Sequence, residues 1–175
     1  MTKFLFLFLF IFIGTFTSNG FAQESEDKQE KKNLVTVALG YTYIPKGAAP
    51  DAHEADGVFT PSIGLDYFRR VHSRWEIGLM ADLELGEYVI FEKELNRENA
   101  ILLAVMASFN LTKHISIFAG GGMEFEKHKN LGIIRFGGEY VFKLRKDWIL
   151  SPGLFYDFKE GIDTFSLSIA FGKEF

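Results

Sequence analysis

His114, Ser116 and Glu126 have the residue types of a nucleophile, a base and an orienting acid, the set needed for acyl transfer. His53 stands among Asp51, Glu54 and Asp56, a mixture of hard oxygen donors and one imidazole that resembles a weak divalent-cation loop. That cluster lacks ligand spacing, so a solvated acidic loop is the plainer reading. His72, His114 and His128 read as surface histidines beside basic turns and loops. A third set consists of Asp66, Glu76, Asp82, Glu84, Arg135, Glu139 and Asp157. Those carboxylates and their guanidinium fit either an ion-selective pore or an internal ion-pair plug. The chain has no Cys, which excludes disulfides and thiolate chemistry. What each set does depends on the elements that carry it.

Those elements are alternating segments, near residues 34–44, 58–69, 74–86, 99–111, 114–125, 131–143, 147–158 and 163–175. In the first, Val35, Val37, Leu39, Tyr41 and Tyr43 oppose Thr36, Ala38, Gly40 and Thr42. In the seventh, Trp148, Leu150, Pro152, Leu154, Tyr156 and Phe158 oppose Ile149, Ser151, Gly153, Phe155 and Asp157. Successive side chains alternate faces along a strand, so each segment has one greasy and one small or polar face. The third charged set falls on the polar face. A soluble barrel of lipocalin type would bury that face's opposite and would have to pair every charge turned inward, at high cost. A membrane barrel turns grease to lipid and charge to its lumen. The alternation blurs at Leu102 and Met106 on the polar face, and at Gly120-Gly121-Gly122, where either face assignment fits. Pro61 and Pro152 lack an N–H and argue against central strands, a cost that is tolerable if each sits at a bulge.

The ends set the compartment. Lys3 precedes an unbroken apolar run from Phe4 to Ile13, followed by a polar stretch and Gly20-Phe21-Ala22. That is the layout of a secretory signal peptide, residues 1–22, cleaved after Ala22. The run is too short for an uncleaved helical anchor, which needs about 20 residues. Residues 23–33 are charged and read as a flexible periplasmic lead-in. Residues 34–175 then form a single closed, eight-stranded, antiparallel up-and-down transmembrane barrel. The formal net charge of −4 gives no support for nucleic-acid binding, and no motif calls for a cofactor.

Connections between the strands alternate in kind. Residues 45–57, 87–98, 126–130 and 159–162 are polar and often longer. The other three, around His72, His114 and Arg145, are short, basic and flanked by aromatics. Short turns face the periplasm in such barrels, which places both termini there and an aromatic girdle at that interface. Tyr88 to Phe91 still alternates, so the second long loop is expected to extend its hairpin outward and offer a strand edge to a partner.

The signal peptide, the eight strands, the aromatic-flanked turns and the terminal Phe175 together resemble the small outer-membrane β-barrel proteins of Gram-negative bacteria. The abundance of Phe and Lys further resembles barrels of the Bacteroidota. The resemblance implies that Leu167, Ile169, Phe171 and Phe175 form the signal read by the barrel-assembly machinery, with Lys173 departing from the usual apolar residue. It implies outer-membrane lipid as the surroundings and a non-enzymatic structural or surface-interaction role, with loops 45–57 and 87–98 as the sites for an extracellular partner. A narrow porin-like channel is the alternative. A third is a lipid A-modifying barrel enzyme, since one such family uses a His-x-Ser pair with a downstream Glu. His114 and Glu126 lie at opposite strand ends here, roughly 33 Å apart at the rise of a strand, so the triad is not expected to close.

Overall fold

Period-two alternation carries through to the folded chain. In the computed structural model, which describes residues 31–93 and 95–175, the strands are β1 (Asn33–Ile44), β2 (Val58–His72), β3 (Trp75–Glu84), β4 (Glu87–Ile90), β5 (Leu95–Glu98), β6 (Ile101–Asn110), β7 (Ile115–Phe125), β8 (Leu131–Tyr140), β9 (Phe142–Lys143), β10 (Trp148–Phe158) and β11 (Thr164–Glu174). The signal peptide and its cleavage at Ala22 lie outside the described residues. Each long strand pairs antiparallel with the next, and β11 pairs with both β10 and β1, which closes the sheet. With β9 continuing β8, this is a closed eight-stranded antiparallel barrel. The two short strands β4 and β5 form a separate hairpin.

Outward positions hold the large apolar residues. Leu39, Leu65, Leu79, Val105, Leu154 and Leu167 are each at least half exposed. At the long-loop end, register sets Tyr156, Phe165, Tyr43 and Phe59 side by side across four strands. Tyr43 and Phe59 stack at 4.7 Å. At the short-turn end Trp75 meets Phe109, Tyr140 meets Phe142, and Trp148 stacks on Phe171. The barrel therefore has two aromatic girdles where the sequence predicted one.

The interior departs from a uniformly polar lumen. Phe68, Met80, Leu102, Met106, Phe118, Ile133 and Phe155 pack together inside. Luminal glycines make room for them. A Cβ on Gly78 would come within 2.7 Å of the Phe68 ring, and one on Gly137 within 2.2 Å of the Phe155 ring. Leu102 and Met106, which blur the predicted pattern, are thus parts of an internal apolar cluster and not defects in a polar face. The glycine-rich β7 resolves with Ser116, Phe118 and Glu124 inward.

Neither proline sits in a bulge, contrary to expectation. The single register shift recorded between paired strands among the described residues falls between Arg70 and His72. Pro61 lies just past the β2–β3 ladder, which stops at Ser62, and its carbonyl accepts from the Leu85 N–H. Pro152 lies just past the β8–β10 ladder, which stops at Gly153 and resumes as β9 opposite Leu150. A proline cannot donate to a ladder, so pairing lapses beside it. That lapse splits the predicted 131–143 strand at Val141. Of the expected lead-in 23–33, residues 23–30 lie outside the described residues, and its last residues join the barrel, since Asn33 exchanges backbone bonds with Phe175 and the Lys32 carbonyl accepts from the Arg70 N–H.

Candidate functional site

Inward parity brings the charged side chains into three tiers within the barrel, not one network. At mid-height, Arg135 on β8 faces Asp157 on β10, its register partner. Its Nε donates to Asp157 Oδ1 at 2.6 Å and a terminal nitrogen donates to Oδ2 at 2.9 Å. This fork-to-fork geometry is the strong form of a charge-assisted pair. The other terminal nitrogen donates to Asp82, and the guanidinium lies over the Phe155 ring at 5.5 Å. Thr36 donates to Asp66 at 2.8 Å. Asp66, Asp82, Glu139 and Arg135 line a small cavity with Ser62, Ser166 and Ser168, roomy enough for water but for no larger solute.

Toward the short turns, Arg70 donates to Glu76 through two nitrogens at 3.1 and 3.0 Å. Asn110 donates to the same oxygen, and Ser116 donates to Asn110. Glu174 stands 4.0 Å from Arg70.

Beneath the long loops lies the third tier. Lys159 reaches Glu84 at 3.0 Å and Glu124 at 2.5 Å, and Arg97 also pairs with Glu124. Arg97 and Lys159 are almost fully buried. What buries them is the β4–β5 hairpin. Tyr88 and Ile90 turn down onto Ile44, Leu131 and Ile162 and close the mouth. Burial, with Glu84 and Glu124 nearby, pushes the Tyr88 phenol well above its ordinary range. The predicted hairpin extension exists, but it folds over the barrel. Its Val89 edge is occupied by Ala48, through two backbone bonds of 3.0 and 2.9 Å, so this edge is not free for a partner strand. Lys93 reaches the Glu160 carbonyl, and Lys129 donates to the Glu160 carboxylate at 3.0 Å.

All seven predicted luminal charges face inward, with Glu76 and Glu84 at opposite ends and the other five near mid-height. Arg70, Arg97, Glu124 and Lys159 were missed. Three of these obey a legible rule, since Arg70, Glu124 and Lys159 continue the inward parity of Asp66, Ser116 and Asp157. Arg97 has no such signal because the hairpin, not a barrel strand, delivers it.

The other candidate sets do not assemble. Ser116 donates to Asn110, the His114 ring meets the Val141 carbonyl, and Glu126 is engaged by His128 and Arg97. His53, Asp51, Glu54 and Asp56 are exposed, and no metal-binding group of His, Asp or Glu forms among the described residues. Leu167, Ile169, Phe171 and Phe175 share the outward face of the C-terminal segment, and the Lys173 ammonium lies 5.7 Å over the Trp148 ring.

No protein-family model matches the chain, and no curated protein sequence matches it. Solved structures do resemble it. The attachment invasion locus protein Ail of Yersinia pestis superposes with a TM-score of 0.52 at 9% identity, over 82% of this chain and 99% of that one. Neisserial surface protein A superposes with a TM-score of 0.58 at 7% identity, over 82% and 97%. The outer membrane protein AlkL, solved in lipid bilayers, superposes with a TM-score of 0.56 at 10% identity, over 90% and 96%. These likenesses give no support to the finer resemblance to barrels of the Bacteroidota. What they do show is that this chain has the fold of the small eight-stranded outer-membrane barrels.

Proposed function

We propose that this chain is an integral outer-membrane barrel that does not conduct, with a non-enzymatic role in stabilising the envelope or in contacts at its surface. The observation that carries this reading is the inversion itself. Large apolar residues cover the outside between two aromatic girdles, while charges and a small apolar cluster fill the inside. Water cannot satisfy such an exterior, and lipid cannot satisfy an open sheet edge, which closure removes. With eight strands the interior is just filled by side chains, here by the Arg135 fork, the Phe155 and Phe118 rings, and the hairpin over the mouth.

On this reading the short turns and both termini face the periplasm and the long loops face outward. The barrel-assembly machinery reads Leu167, Ile169, Phe171 and Phe175. Any extracellular partner meets the exposed parts of 45–57 and 87–98, by side chains more than by strand addition. Conductance across a planar bilayer tests the plug. The wild-type protein is expected to show no stable open level, and Arg135→Ala to open intermittently or to lose stability. A stable open pore in the wild type would overturn the closed lumen. It would favour the narrow-channel alternative, for which the carboxylate-lined cavity at Asp66, Asp82 and Glu139 is the supporting observation. Lipid A that is unchanged in mass when the protein is expressed would count against the enzymatic reading.

A further inference from the structure

The two ends of the barrel differ in exposed charge. The long-loop end mixes exposed carboxylates, Asp51, Glu54, Asp56, Glu87, Glu98 and Glu160, with fewer exposed lysines, Lys46, Lys93, Lys127 and Lys129. The short-turn end exposes Arg74, Lys113, Arg145 and Lys146, none of which has a carboxylate partner among the described residues. Among the described residues, the acids exposed or partly exposed at that end are already engaged, Asp147 by Lys31 and Glu174 by Lys143 and Arg70. Each short turn also carries an exposed large apolar residue beside its cations. These are Val71 at 55%, Leu111 at 47% and Leu144 at 46%. A turn that met only water would have no use for such residues. Free phosphate would engage the cations and leave the apolar tips unused. A surface with phosphates above and acyl chains below satisfies both, with Lys and Arg stems crossing between them.

We infer that the short-turn rim is a binding surface for anionic glycerophospholipids of the phosphatidylglycerol class, which it gathers from the leaflet it faces. This rests on the membrane reading above and specifies the lipid. Each Lys or Arg near such a surface contributes about 1 kcal/mol of attraction, screened by salt. At the opposite end exposed carboxylates outnumber the exposed lysines, so the attraction there is weaker and the preference belongs to the short-turn leaflet.

The protein carries its own reporters, because its two tryptophans, Trp75 and Trp148, flank these turns. The full barrel is reconstituted in phosphatidylcholine vesicles containing equal amounts of either brominated phosphatidylcholine or brominated phosphatidylglycerol. Bromine quenches tryptophan at contact. The expected result is stronger quenching by the anionic lipid, equivalent to a local enrichment of about fivefold or more. High salt is expected to abolish it, as is the combined variant Arg74→Gln, Lys113→Gln, Arg145→Gln and Lys146→Gln, with folding checked by far-UV circular dichroism. Equal quenching by both lipids overturns the inference while leaving the membrane reading intact. Absence of quenching by either lipid overturns both. Excess quenching that survives in the variant removes these turns from the assignment. Relief of quenching by inorganic phosphate at constant ionic strength, or by equimolar lipid A, assigns the rim to another anion and overturns the choice of lipid.

Discussion

The two ends of this barrel use the same ionisable residue types to opposite effect. At the long-loop end, Arg97 and Lys159 are sealed beneath Tyr88 and Ile90 and share the Glu124 carboxylate. At the short-turn end, Arg74, Lys113 and Lys146 stand exposed and unpaired among the described residues. A charge sealed from water must be matched at once, or its desolvation is uncompensated. An exposed charge contributes almost nothing to the fold and is free to meet an external partner. The capped end is therefore a structural device, while the open end leaves its cations available to an external partner. Burial decides which, not residue type.

The sharpest way to break this contrast is to remove the shared acid. Glu124→Ala leaves Arg97 and Lys159 short of a counter-charge under the hairpin, and is expected to destabilise the barrel by about 3–5 kcal/mol. Urea unfolding in detergent micelles measures it. A loss under 1 kcal/mol would mean that water reaches this tier and that the mouth is open. Next in size is Ile90→Ala, which truncates a fully buried side chain in the cap. A loss of about 2–4 kcal/mol is expected if the hairpin and barrel unfold together. Hydrogen exchange that accelerates only within 87–98, with the barrel strands unchanged, would show instead that the cap opens as its own unit.

How far the contrast was legible in the sequence follows from parity. Strand alternation assigned an inward face to Asp66, Glu76, Asp82, Glu84, Arg135, Glu139 and Asp157, and the same even spacing carried along the strands reaches Arg70, Glu124 and Lys159. Alternation reports which face a residue occupies. It does not report height, so it could not divide the charges into three tiers. Nor does it reach residues outside the eight barrel strands. Arg97 is buried only because the β4–β5 hairpin bends over the mouth, and that bend depends on Ile44, Leu131 and Ile162 from three distant segments. The internal apolar cluster was half visible in Leu102 and Met106. Its physical reason, rings lying over luminal glycines on neighbouring strands, needed the cross-strand register. The prolines misled for a related reason. Proline forbids one hydrogen bond, and a ladder that ends beside it meets that requirement as well as a bulge does.

Smaller effects test the other side of the contrast. Arg74→Gln and Lys113→Gln are each expected to change unfolding stability by no more than about 0.5 kcal/mol, the scale of exposed substitutions away from special features. The same urea titration that registers Glu124→Ala checks this. A loss of 2 kcal/mol or more at either position would mean that the exposed cations, and not only the inner Arg70–Glu76 pair, hold the short-turn end, and the division between the ends would fail.

The smallest effect expected is at the rim of the capped end, where Glu160 is exposed and joins two loops. Its carboxylate accepts from the Lys129 ammonium at 3.0 Å and from the Gly132 N–H at 3.3 Å. These bonds hold its carboxyl below the usual carboxylate range. A carboxyl whose pKa is lowered by folding adds stability that is fully present above its unfolded pKa and is lost as pH falls through the folded one. The contact between 126–130 and 159–163 should therefore be unchanged from pH 8 to pH 5 and loosen only in more acidic solution, about pH 4 and below. Hydrogen exchange at the Gly132 amide follows it directly. Glu160→Gln should remove the acid dependence while leaving the barrel intact, since the charges buried below do not rely on this exposed pair. Acid loosening that persists in Glu160→Gln would shift the sensitivity to Glu126, which His128 and Arg97 engage in the same loop, and would bring the titrating group from the solvent-exposed rim to the edge of the sealed tier.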